Sequence, residues 1–227
     1  MLKLCGIHKS FAHKPVLKDI NLSAKPGELT AFLGKNGAGK STLLSIITGA
    51  LPLDGGHIYL FDQEITHKSA QERALMMAIL KQDPKMMTAS SLTVEENLIL
   101  ASLKGAHAKL AMGLSEKRRA SLRQHLRDLH IDDALLDAPM NGLSGGQRQI
   151  IAFAMAVMKR PSLLLLDEPT AALDEQASHT LMTLIKELIQ KWSIPAIMIC
   201  HDKALVDQFA DAVHELKDGI LNTVDNT

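Results

Sequence analysis

The stretch LTAFLGKNGAGKSTLLSIITG, residues 29–49, leaves few folds open. Its first five residues, apolar except for Thr30, read as a buried strand, and KSTLLSIIT has helical periodicity up to Gly49. Between them lies the spacing GxxxxGK[ST], from Gly34 to Ser41. Gly34, Gly37 and Gly39, with Asn36 and Ala38 between them, let the backbone curl until its amides face phosphate oxygens. Lys40 is placed to reach the β- and γ-phosphates, Ser41 offers a hydroxyl to Mg²⁺, and Thr42 adds a donor toward the α-phosphate. The expectation is an α/β protein that binds a nucleotide.

The rest of the chain fits that core. RPSLLLLDEP and IPAIMIC read as fully buried strands, and LMTLIKELIQKW between them as a helix. Strands alternating with helices predict a mainly parallel sheet covered on both faces. LKDINLSAKPGELTAFLG reads as a hairpin turning at Pro26 and Gly27, and LDGGHIYLFDQEI as a hairpin turning at Gly55 and Gly56. From Val94 to about Arg160 the pattern is mostly helical and looks inserted in the core. FADAVHELKDGIL closes the chain as a strand and a turn. The sequence shows no internal repeat and no low-complexity linker.

Composition excludes some function classes. With 227 residues, 46% of them hydrophobic, the chain can bury a sizeable core. Lys plus Arg and Asp plus Glu both number 25, so net charge points to neither nucleic acid nor an anionic membrane. The basic stretch of Lys117, Arg118, Arg119, Arg123 and Arg127 reads as a solvated helix face. Cys5 and Cys200 lack ligand-like spacing; a reducing compartment fits, and Cys200 reads as a small buried residue. The apolar runs are too short to span a membrane, and the N-terminus does not read as a signal peptide.

Two further tracts carry chemistry. In LLLLDEPTAALD the strand ends at Asp167 and Glu168, on the strand edge where ligands of an open α/β sheet lie. Asp167 there suits Mg²⁺, and Glu168 suits a water in line with the γ-phosphate, as a general base for hydrolysis. His201 follows the next apolar strand at the same edge. The segment NGLSGGQRQI opens a helix with Ser144, Gly145, Gly146 and Gln147, a second set of exposed amides that would attract an anion.

GKNGAGKST, Gln82 in ILKQDP, LSGGQ, LLLLDEP, AALD and CHD follow one another in this order. Together they resemble the ATP-binding subunit of ABC (ATP-binding cassette) transporters, over essentially the full chain. The resemblance implies a P-loop NTPase with a RecA-like core, an N-terminal antiparallel β-subdomain and an inserted α-helical subdomain. In these terms residues 1–82 and 161–227 form the nucleotide-binding core with its β-subdomain, and 83–160 the helical signature subdomain of one ATPase domain. It implies two cassettes paired head to tail around two ATP molecules, each site drawing its phosphate loop from one subunit and LSGGQ from the other. Gln82 matches the loop that couples Mg²⁺ and the attacking water to the helical subdomain. Ser144, Gly145, Gly146 and Gln147 match the signature, Asp174 the loop between the two sites, and His201 the switch that senses the γ-phosphate. Phe11 falls where the family often has a tyrosine that stacks on adenine; a core aromatic on a strand is the other reading. Ile150 and Met155 stand where the family usually has basic residues.

KQDPKMMTASSLTVEENLILA and GLSEKRRASLR are similar to a bacterial branch of importer cassettes, some paired with permeases for amino acids or related small organic solutes. The partners implied are a second copy of the chain, an integral-membrane permease, and a periplasmic or surface solute-binding protein. No direct nucleic-acid partner is implied. The expected location is peripheral, at the cytoplasmic face of the inner or plasma membrane. Met86 and Met87 either line a groove for the permease or pack in the core. The alternatives are an exporter ATPase for lipid or lipoprotein, and a soluble ABC ATPase acting on nucleic acid or ribosomes.

Overall fold

Alternating apolar side chains set the first sheet of the computed structural model, which describes residues 1–105 and 115–224. Strand β1 (Leu2–Phe11) buries Leu2, Leu4 and Ile7, and β2 (Lys14–Ala24) buries Leu17, Ile20 and Leu22. They are joined through Ala12 and His13, both at positive φ, so two residues turn the chain. With β4 (Gly55–Leu60) and β5 (Gln63–Glu64) they form an antiparallel sheet in the order β2-β1-β4-β5.

The second sheet has the order β10-β9-β3-β8-β7-β6. Its strands are β3 (Leu29–Leu33), β6 (Met77–Leu80), β7 (Leu163–Asp167), β8 (Ala196–Ile199), β9 (Ala212–Lys217) and β10 (Ile220–Val224). Strands β9, β3, β8 and β7 run parallel, and β10 returns antiparallel along β9. The period of two explains why every residue of LLLL is buried. Leu163 and Leu165 join Ile197 and Ile199 in one core layer, and Leu164 and Leu166 take the opposite face. That layer also receives Phe32, residues of the first sheet, and Leu43, Leu44, Ile46 and Ile47 of helix α1 (Lys40–Thr48).

Both hairpins expected from glycine positions are corrected. The chain leaves β2 at Ala24 and enters β3 at Leu29 in the other sheet, so Pro26 and Gly27 connect two sheets instead of turning a hairpin. The second hairpin does form, as β4 and β5, but it turns at Phe61 and Asp62, both at positive φ. Gly56 instead sits inside β4 at φ +97°, where a Cβ would lie 2.2 Å from the Gly6 carbonyl oxygen. Close backbone approach, not a turn, requires that glycine.

These two sheets belong to one compact unit, made of residues 1–79, 161–168 and the chain from Ile189 on. It also holds α2 (Ala70–Met76) and α7 (Lys203–Phe209). Arg73 of α2 is 3% exposed and donates to the carbonyls of Ile46 (2.7 Å) and Ile47 (2.9 Å) at the end of α1. It also reaches Thr66 (2.7 Å) and Lys68 (3.1 Å). A cation suits the negative end of a helix.

The other unit, Leu80–Arg160 with Pro169–Leu188, is helical. Helix α3 (Val94–Ser102) starts in a capping box between Thr93 and Glu96. Helix α4 (Glu116–Asp128) is capped by Ser115 and buries Leu122 and Leu126. On its outer side Arg119 pairs with Asp137, and Arg127 meets Asp133 at 2.9 Å. Helices α5 (Gly145–Ala156) and α6 (Glu175–Trp192) complete it, the end of α6 passing into the first unit. Residues 106–114, part of the stretch expected to be helical, lie outside the described residues. Among the described residues no helix is long and apolar enough to cross a membrane.

Candidate nucleotide site

Three neighbouring parallel strands bring the first group of residues to one edge. Phe32 of β3 pairs with Ile199 of β8, which in turn pairs with Asp167 of β7. The chain therefore leaves β3 into Gly34, β7 into Glu168 and β8 into His201 at the same level. Ligands of open α/β sheets bind at this carboxyl edge.

The loop of residues 34–39 is shaped for close backbone approach. Gly34 has φ +142°, and a Cβ there would stand 2.4 Å from the Leu216 carbonyl oxygen. Helix α1 begins at Gly39 without any side-chain cap, so its first amides stay available to an anion. Asn36, Gly37 and Ser41 are exposed, while Lys40 is 6% exposed. The Lys40 ammonium folds back on its own loop and donates to the carbonyls of Gly34 (2.5 Å) and Lys35 (3.1 Å). Burial pushes its pKa down from the usual lysine value; the charges of Glu168 and Asp167 act against that shift.

Glu168 is a non-glycine residue at φ +50°, held by its N–H donating to the Ile199 carbonyl at 3.0 Å. Such a conformation persists only where its surroundings fix it. Here it turns the carboxylate so that Oε1 meets His201 Nε2 at 2.9 Å. Both side chains remain partly open to solvent, at 26% for Glu168 and 44% for His201. Cys200, next to His201, is buried, and burial pushes its thiol up, as befits an inert packing residue.

Phe11 stands at the end of β1, 46% exposed, with the Lys9 ammonium 5.6 Å from its ring centroid. The reading of Phe11 as a core aromatic is thereby corrected. Its ring sits on the β1–β2 hairpin, and Val16 of the same hairpin borders Gly39. The other candidates lie in the helical unit. Gln82 is exposed, two residues beyond β6. Ser144 and Gln147 form a capping box: Gln147 N–H donates to Ser144 Oγ (3.2 Å) and Ser144 N–H to Gln147 Oε1 (3.0 Å). Gly145 and Gly146 form the first turn of α5. Asp174 accepts from the Ala177 N–H at 2.8 Å. Met86 is 69% exposed; Met87 is half-buried, with its sulfur near Lys81 N.

Sequence reasoning passed over two residues of α5. Arg148 braces the loop before the signature, donating to the carbonyls of Met140 (3.2 Å) and Leu143 (3.1 Å). Gln149 is 1% exposed and is the polar member of a buried set made otherwise of Ile151, Ala152, Phe153 and Ala154. A glutamine on the apolar side of a helix was the available signal.

Comparison with known proteins agrees with this geometry. The family model described as ABC transporter matches residues 17–171. The tyrosine transport ATP-binding protein of Clostridioides difficile is 33% identical over 225 residues, covering 96% of this chain and 89% of that protein. A ribose import ATP-binding protein of Bacillus cereus is 36% identical over 221 residues, but the match spans only 43% of its length. Among solved structures, a nucleotide-free ATP-binding cassette from an ABC transporter superposes with a TM-score of 0.84 at 27% identity, covering 97% of this chain and 89% of that one. A dimeric cassette in a post-hydrolysis state with ADP and phosphate gives 0.81 at 27% identity, covering 100% and 99%. The chain belongs to the ABC transporter family and is an ATP-hydrolysing cassette of it.

Proposed function

We propose that this cassette energises a separate membrane permease that imports an amino acid or another small organic solute. The observation that carries the ATPase part is the pairing of Glu168 with His201 at the strand edge that also holds the phosphate loop. The importer part draws on relatives named for tyrosine transport, for ribose import and, at 33% identity in Marinobacter nauticus, for spermidine and putrescine import. A solute-binding protein in the same system and a peripheral position at the cytoplasmic face of the membrane belong to the same proposal.

The residues take these roles. Loop amides of residues 34–39 and the α1 amides around Ser41 and Thr42 hold the phosphates. Lys40 leaves the carbonyls of Gly34 and Lys35 for the β- and γ-phosphates, where its charge is fully compensated. Phe11 stacks on adenine. Glu168 accepts a proton from water as the water oxygen bonds to the γ-phosphorus, and the bond to the bridging oxygen breaks with its electron pair leaving on ADP. His201 holds the Glu168 carboxylate in place through the 2.9 Å contact.

Ser41 and Asp167 are the residues that would hold Mg²⁺, with Gln82 assigned to it by motif. No group of three or more His, Cys, Asp or Glu fit to hold a metal occurs among the described residues. A donor set of few hard oxygens suits Mg²⁺, which keeps water and phosphate oxygens as its other ligands. Bound there, the ion neutralises charge on the phosphate oxygens.

Ser144 to Gln147 and Asp174 serve the nucleotide of a second cassette, in an ATP-dependent head-to-tail pair. Residues 83–160 act as the signature subdomain, and residues 1–82 with 161–227 as the nucleotide-binding core. Co-expression with candidate permeases and transport in reconstituted vesicles test the whole reading. ATP-dependent uptake of an amino acid or similar solute is expected. Outward transport of lipid, or co-purification with ribosomes or DNA in place of a membrane complex, would overturn it.

A further inference from the structure

Gln149 lies in α5, five residues after the Ser144 cap, and its side-chain amide is sealed from solvent at 1% exposure. Its Nε2 donates one proton to the Lys81 carbonyl and the other to the Pro169 carbonyl, both at 2.9 Å. Those acceptors are 68 and 20 residues away along the chain, and each adjoins a residue with a proposed catalytic role. Lys81 directly precedes Gln82, and Pro169 directly follows Glu168.

The amide is not arranged for stability alone. Its Oε1 is buried without a hydrogen-bond partner, a state that costs free energy. An apolar side chain of the same length would fill the space without stranding that oxygen. What the glutamine supplies, and an apolar residue does not, is the pair of N–H bonds that ties α5 to two backbone points.

The second point matters because of what precedes it. Glu168 holds a left-handed backbone conformation that must be fixed by its neighbours. On its N-terminal side the Glu168 N–H is anchored to Ile199. On its C-terminal side the next carbonyl, that of Pro169, is anchored by Gln149. The first point fixes the backbone from which Gln82 projects.

We infer that Gln149 is a positioning residue for ATP hydrolysis: its amide holds the backbone beside Gln82 and the backbone beside Glu168 to the helix that Ser144 opens. Movement of that helix then displaces both backbone points together. The inference rests on the proposed roles of Gln82 and Glu168.

The test uses the full chain carrying Gln149→Met, which keeps length and loses both donors, with Glu168→Gln measured in parallel. Mg²⁺-dependent ATP turnover, equilibrium ATP affinity without Mg²⁺ and thermal unfolding are compared. Gln149→Met is expected to lower kcat at least about tenfold while affinity stays within about twofold, since the nucleotide-binding loop is not touched. Native kcat in a folded Gln149→Met protein, beside an inactive Glu168→Gln, would overturn the inference alone. A parallel fall of kcat and affinity would overturn it too, by marking general destabilisation. Hydrolysis by Glu168→Gln near the native rate would instead sink the reading beneath it. Should Gln149→Met not fold, Gln149→Asn carries the same test, because its shorter amide can serve one carbonyl but not both. Its kcat is expected between native and inactive at unchanged affinity, and native kcat there overturns the inference.

Discussion

Removing the charge of Glu168 while keeping its shape isolates the chemistry from binding. Glu168→Gln cannot take a proton from water, so turnover is expected to fall by about 10²–10⁴-fold with ATP affinity retained. A phosphate-release assay beside equilibrium ATP titration checks this, and near-native turnover would remove Glu168 from its role. His214 provides a second residue-level expectation. On β9 it packs edge-on against Phe32 of β3, and burial pushes its pKa below the usual histidine value. The unfolded chain therefore binds this proton more readily than the folded one. Stability from the neutral ring is complete above the unfolded pKa, about 6.5, and is lost as pH falls from there through the folded value. His214→Gln should show a smaller drop in melting temperature than the native chain between about pH 7.5 and 5.5. An equal drop would remove His214 as a source of the acid sensitivity.

At the scale of elements, β7 shows what sequence makes plain. Four consecutive leucines mean a strand covered on both faces, and Leu165 lies in the layer shared with α1 and β8. Leu165→Ala is expected to destabilise the protein by about 2–5 kcal/mol, read from a denaturant midpoint. The same legibility extends to α1, whose Gly49 stop is a left-handed C-cap, and to the strand edge that gathers Gly34, Asp167, Glu168 and His201. Turns were harder to read. Ala12 and His13 turn β1 into β2 with none of the Asn-Gly chemistry that normally marks such a loop. Gly56 was glycine for strand contact, and Pro26 with Gly27 carried the chain between sheets. Local punctuation records that the backbone is unusual, not which long-range contact demands it. The positive φ of Glu168 and the two bonds of Gln149 belong to the same class, since both depend on segments far away in the chain.

For the molecule as a whole, LSGGQ makes association the decisive observable. The solved cassette that matches over 99% of its length was captured as a dimer with ADP and phosphate. Sedimentation of Glu168→Gln with ATP and Mg²⁺ should give a stable dimer, and without nucleotide a monomer. A monomer under both conditions would count against the shared site. Ser144→Arg should bind ATP as a monomer and fail to pair.

The Ser144 cap separates two properties that most substitutions would change together. Its Oγ accepts the Gln147 N–H, which leaves the hydroxyl proton free to donate elsewhere. Aspartate is an equally good helix cap, but it offers no proton and places a negative charge where a phosphate would approach. Ser144→Asp should therefore keep the native melting temperature to within a few degrees, retain ATP binding by the single chain, and abolish the ATP-dependent dimer. Held beside a native copy, such a folded, nucleotide-loaded cassette would spoil only the site that its own residue 144 faces, a tool for counting how many competent sites one transport cycle requires.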